Sequence, residues 1–179
     1  MAAEPVLRID GKGALRLLFL VREIACSPRP TTGAERRVAA FLDQLGASRT
    51  PTLAYSASPV EQVDAGASTR AVWRRLPLGV RGLRRDLARI FGALSFVARH
   101  LRSIRRFGPS VVLERARYLD PTGALIARLL GIPHVLELHG DLAADAERYY
   151  ASPLAGLGRA YERRRYRAAD EVIVVSRGL

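Results

Sequence analysis

The chain has 179 residues, 49% of them hydrophobic, with 29 Lys+Arg against 17 Asp+Glu and a formal charge of +12. That length bounds it at one domain of ordinary size with enough apolar material for a core, and it excludes wholesale disorder. Lys12 is the only lysine, so a preference for arginine says little by itself; the excess of positive charge says more, because it attracts anions such as nucleic acid, anionic lipid or phosphorylated substrates.

Cys26 is the sole cysteine, so no internal disulfide can form and secretion gains no support. Glu4 and Asp10 precede an apolar run, Leu17 to Val21, too short for the core of a signal peptide. No stretch approaches the roughly 18 apolar residues that span a bilayer. The expectation is a cytoplasmic protein, either soluble or lying on the inner face of a membrane.

In chain order, Leu15 to Val21 reads as a strand buried on both faces. A Pro-rich loop from Glu23 to Thr32 follows, and then a capping box, Thr32 to Glu35, opens a helix. Ala34, Val38, Phe41, Leu42 and Leu45 share its apolar face, and Gly46 ends it. Pro51 to Tyr55 is a weak second strand, and Ser56 to Ser68 reads as a surface loop. A long helix runs from Leu83 to Phe107, with arginines at both ends. Those arginines are either a solvated rim or a surface for anionic lipid headgroups.

Ser110 to Glu114 is the next strand. Asp120 and Pro121 start a helix that stops at Gly131, and Pro133 introduces the strand His134 to Leu138. Ser152 and Pro153 repeat the helix-start signal for a helix reaching about Ala168, and Glu171 to Val175 is the last strand. Apolar strands alternating with amphipathic helices predict a three-layer αβα Rossmann-like domain with a mostly parallel sheet covered on both faces.

In such sheets, ligands bind beyond the carboxyl ends of the strands. Three loops there hold candidates. The first leads to Gly33, where a capped helix start favours an anion and glycine permits close approach, unless the glycine serves the turn alone. The second holds Glu114, Arg115, Arg117 and Tyr118, which are either site residues or an ion pair at the sheet edge. The third is His139, Gly140 and Asp141, whose histidine either is structural or contacts a sugar hydroxyl or phosphate. His100, His134 and His139 do not form a metal cluster, and no zinc or serine-hydrolase motif occurs.

LRLLFLVREI, the Gly33 to Arg36 loop-helix start, PSVVLERARYLDPTGALIARLLGIPHVLELHG and RRYRAADEVIVVSRGL, in this order, resemble the amino-terminal domain of family-four glycosyltransferases with the B-type fold, in which two Rossmann-like domains face a cleft. The stretch from Arg49 to Gly82 carries little resemblance. Many members have two glycines where this chain has Thr32 and Gly33. The resemblance implies that Gly33 lies near the donor diphosphate or the acceptor, that His139 is the cleft residue contacting the transferred sugar, and that Glu114 and Arg115 face the acceptor. It implies a nucleotide-sugar as donor substrate, with no metal or other cofactor, and a sugar or lipid-linked glycan as acceptor.

In the family a carboxy-terminal domain binds the nucleotide sugar. Residues 1–179 are therefore expected to be the acceptor-side domain alone, incomplete at its carboxyl end and inactive in isolation, as a truncated product or half of a split enzyme. Two rival readings stand beside this one. A non-catalytic module would dock on a partner that supplies the missing sheet edge, and a basic nucleic-acid-binding domain would use the net charge but shows no recognisable nucleic-acid motif.

Overall fold

The computed structural model describes residues 15–25, 32–48, 50–57, 78–150 and 152–175. Of the loops expected at Glu23 to Thr32 and Ser56 to Ser68, residues 23–25 extend β1 and 56–57 extend β2, while 26–31 and 58–68, like Lys12 and Ser176, lie outside the described residues. Five strands, β1 (Leu17–Ala25), β2 (Thr52–Ala57), β3 (Val111–Arg115), β4 (His134–Leu138) and β5 (Glu171–Val174), form one sheet in the order β2-β1-β3-β4-β5. Every pairing is parallel. The helices are α1 (Gly33–Ala47), α2 (Leu78–Phe107), α3 (Thr122–Leu130), α4 (Leu142–Tyr150) and α5 (Ala155–Ala168).

Strand periodicity sorts the core into two layers. Leu17, Phe19 and Val21 of β1, with Val111 and Val135, face α1 and pack on Val38, Phe41, Leu42 and Leu45. Leu18, Leu20 and Val112 face the other way, onto Phe96, Val97 and Ile104 of α2 and Ile126 of α3. Leu18 and Leu20 are essentially inaccessible, and burying each contributes about 2 kcal/mol. The chain moves from β1 to β2 in one direction and thereafter across the sheet in the other, so connections of one hand put α1 alone on its face and α2, α3 and α5 on the opposite one.

Several ends differ from the sequence expectation, each for a local reason. The capping box forms as expected: the Glu35 amide donates to Thr32 Oγ1 at 3.1 Å and the Thr32 amide to Glu35 Oε2 at 3.2 Å. Gly46 stays inside α1, whose last turn is closed by the Ser48 amide on Gln44. Asp120 stands one residue too early to be the cap residue of α3, yet its carboxylate still accepts the Thr122 amide, at 3.1 Å. The Ser152 hydroxyl does not cap α5. It donates to the buried Asp86 of α2 and meets the Tyr118 hydroxyl at 3.0 Å. The sheet is covered by α1 over β1 and β3, but Ile173 and Val175 on that same face are exposed, as is Val174 on the other.

Candidate functional site

Because β1 continues to β2 on one side and pairs with β3 on the other, the chain reverses direction between β1 and β3. In open parallel sheets that switch point opens a crevice beyond the carboxyl ends of the strands. Three pieces of chain converge there: the start of α1, the end of β3 and the residues after β4.

Gly33 is the first residue of α1. Among the described residues, and apart from its chain neighbours and its own helix backbone, no atom lies within 4 Å of where a Cβ would stand, and its φ is not positive. Among the described residues, neither the turn nor internal packing demands glycine at this position. One turn later Arg37 projects from the same helix, exposed. It borders a 320 Å³ groove against the sheet, together with Phe41, Arg115, Glu137 and Ile173.

Arg115 ends β3 and is in register with Glu137 of β4. Two residues on, and so on the same face, His139 brings Nε2 to 2.8 Å from Glu137 Oε1. Burial lowers the His139 pKa. Glu137 opposes that, while Arg115 and Arg37 add to the lowering, so the ring is neutral at neutral pH. A neutral imidazole beside a carboxylate is oriented to share a hydrogen bond with a hydroxyl, and the two guanidiniums and the α1 terminus offer an anion a positive wall. No group of three or more His, Cys, Asp or Glu suited to a metal occurs among the described residues.

Glu114 lies elsewhere. As the neighbour of Arg115 in a strand it points to the opposite face, where it is 2% exposed. Its Oε1 accepts the Gly123 amide of α3 at 3.0 Å, while Oε2 lies 3.0 Å from His134 Nε2 and 2.6 Å from the Arg165 guanidinium of α5. Burial pushes this carboxyl up, but the Arg165 charge and the His134 contact outweigh it and hold the pKa below the ordinary carboxylate value. The structure therefore brings Gly33, Arg115 and His139 to one side of the sheet and separates Glu114 from them. Arg117, also in the second candidate loop, stands 3.8 Å from Asp120, and the Tyr118 ring is buried.

Sequence reasoning missed Arg37 and Glu137. Both carried a signal, since Arg37 is one helical turn from Gly33 and Glu137 alternates onto the face of His139. It also missed Arg22 at the crevice, whose guanidinium binds Asp120 at 3.0 Å and lies 4.4 Å above the Phe96 ring. That contact ties β1 to α2 and to the start of α3. A larger cavity of 710 Å³ lies between α3 and α5 near Pro133, His134 and Asp170. It opens at the amino ends of β4 and β5, away from the switch point, so its size does not make it the site.

Among known families, the model described as glycosyltransferase family 4 matches residues 31–179. Comparison with curated proteins returned no match.

Proposed function

We propose, from the premise that this chain belongs to glycosyltransferase family 4, that it is the acceptor-side half of an enzyme moving a sugar from a nucleotide-sugar donor to a glycan or lipid-linked acceptor. The observation that carries this reading is the convergence of the α1 start at Gly33, the guanidiniums of Arg37 and Arg115, and the His139–Glu137 pair on one side of the switch point. The α1 terminus at Gly33 takes the donor diphosphate, and the absence of a side chain there permits its close approach. His139, neutral and braced by Glu137, hydrogen-bonds the transferred sugar. Arg115 serves the acceptor side directly, and Glu114 acts from beneath by holding the first turn of α3.

Transfer also needs positive groups on the departing diphosphate, aimed where charge develops in the transition state. The proposal assigns these to a separate carboxy-terminal donor-binding domain, so the 179-residue chain alone does not turn over. Its cytoplasmic, membrane-peripheral placement belongs to the same proposal, with α2 against the lipid. No described helix is long and apolar enough to cross a membrane.

The test is transfer from nucleotide sugars measured with the chain alone and with a donor-binding domain joined to it. The expected outcome is turnover only in the joined protein, falling by about 100-fold in kcat on His139→Ala, the scale of one lost transition-state hydrogen bond. Sugar transfer or donor hydrolysis by the 179-residue chain would refute the division of labour. The exposed apolar edge of β5, with Ile173, Val174 and Val175 each more than 40% accessible, favours a second reading as a module that docks on a partner.

A further inference from the structure

A second cavity, of 460 Å³, lies at the carboxyl end of β4 on the face opposite Glu137, between the start of α4 and one side of α5. Leu138, Gly140, Asp141, Glu162, Arg163 and Tyr166 border it. Its volume is that of a small-molecule pocket.

Glu162 is the group that calls for a ligand. It is 4% exposed, and its Oε1 has no hydrogen-bond partner among the described residues. The carboxyl otherwise takes the Ala143 amide and the Tyr166 hydroxyl. Burial, and then the neighbouring Asp141, pushes it up to about 7. A buried polar oxygen left without a partner is costly, and a bound donor that reaches it recovers that cost.

The surroundings restrict what that ligand is. Asp141 Oδ1 accepts the Ala144 amide at 2.9 Å and Glu162 accepts that of Ala143, so these free amides at the start of α4 are already used. The two carboxyls that border the cavity, buried Glu162 and exposed Asp141, also repel a bare anion. A hydroxyl, by contrast, donates to an ionised Glu162 and either donates to or accepts from a protonated one, so it fits in both states. The Tyr166 ring and Leu138 supply apolar wall for the carbon skeleton of a polyol. Arg159 is engaged by Glu147 in an exposed ion pair, whereas Arg163, also exposed, has no ion-pair partner among the described residues. It is placed to take a negative substituent.

We propose that this cavity binds an anionic sugar, a hexose-sized polyol carrying a phosphate or carboxylate, with its hydroxyls on Glu162 and Tyr166 and its charged group on Arg163. It rests on the acceptor-side reading only for the role of that sugar as acceptor. Gly140 and Asp141, which border the cavity, follow His139 directly in the chain, so one loop serves the candidate site on one face of the sheet and this cavity on the other.

Amide NMR titration of the 179-residue chain with glucose 6-phosphate, glucuronate, glucose and inorganic phosphate tests it. One or both anionic sugars should shift the Gly140, Asp141 and Ala143 amides and bind about tenfold more tightly than glucose or phosphate, as expected for one added charge-assisted contact. Arg163→Ala, an exposed change, should bring the anionic sugars down to the level of glucose, and Tyr166→Phe should weaken all three sugars while keeping the ring. The proposal is overturned if no sugar moves those amides, if inorganic phosphate binds as tightly as the sugar phosphate, or if both variants bind like the wild type. In the joined transferase, turnover with an acceptor KM indifferent to Arg163→Ala removes the acceptor role of the cavity and leaves the family function standing. Binding at the cavity by sugars that are never accepted upholds the site and removes its acceptor role.

Discussion

Glu114 and Arg165 are both nearly inaccessible, with side-chain exposures of 3% and 1%, and each is the other's main counter-charge. Removing one charge from such a pair leaves the other buried and uncompensated, at a cost of about 3 to 5 kcal/mol. Glu114→Gln should therefore destabilise the chain by that amount in urea unfolding, although the amide oxygen can still accept from Gly123. Adding Arg165→Met should recover more than half of the loss, since the stranded charge is then gone. The pH dependence has a definite sign. The Glu114 pKa is depressed in the folded state, so its stabilisation is present above the ordinary carboxylate value and is lost as the pH falls through the folded value. A Glu114→Gln loss unchanged by Arg165→Met would mean that the charge pair is not what holds this layer. The sequence showed two charged residues at a strand end, and alternation already separates Glu114 from Arg115. What it could not show is which face carried the extra helix layer, because Arg165 and His134 reach Glu114 from 51 and 20 residues away along the chain.

At the scale of elements, Gly158 governs how α5 seats on the loop after β3. A Cβ there would stand 2.8 Å from Tyr118 Cζ, and the Tyr118 ring is pinned by its hydroxyl on Ser152, which in turn holds Asp86 of α2. Gly158→Ala gains helix propensity of up to about 1 kcal/mol but forces apart a packed contact, and overpacking typically costs about 1 to 3 kcal/mol. The net expectation is a melting temperature several degrees lower. Gly156 is the internal control. It lies two residues earlier on the same helix with nothing within 4 Å of its Cβ position, so Gly156→Ala should raise stability slightly. If both variants melt higher than the wild type, Tyr118 yields and the contact does not fix the helix. The long elements were legible because hydrophobic period and cap residues agree in them, as in α1. Helix α4 was not: its nine residues present only Ala143 and Ala146 as buried positions, and its amide caps come from Asp141 and from Glu162, the latter 19 residues beyond the Ala143 amide it accepts. The apolar period that marks longer helices is too short to register there.

For the molecule as a whole, the order of strands and helices along the chain was enough to give the parallel sheet, and with it the location of the Gly33 and His139 loops. The charge was legible as a number but not as a place. The structure puts part of it on α2, where Arg84, Arg102, Arg105 and Arg106 are exposed. Beside them Leu83, Leu87, Phe91 and Leu94 are 40 to 64% accessible and recur at helical spacing, next to the face that buries Ala93, Phe96, Val97 and Ile104. An apolar stripe bordered by guanidiniums suits the boundary between anionic headgroups and acyl chains. Sedimentation with vesicles should therefore show binding to anionic lipid at low salt, little binding to zwitterionic lipid, and release at about 0.5 M salt, where screening shortens the reach of the arginines to a few ångströms. Phe91→Ser, which leaves the net charge of +12 untouched, should weaken binding to anionic vesicles by removing the most exposed of these apolar side chains. Equal binding to both lipids, or a Phe91→Ser variant that sediments like the wild type, would reduce α2 to a solvated charged rim and leave the excess charge to the phosphate-bearing substrates alone.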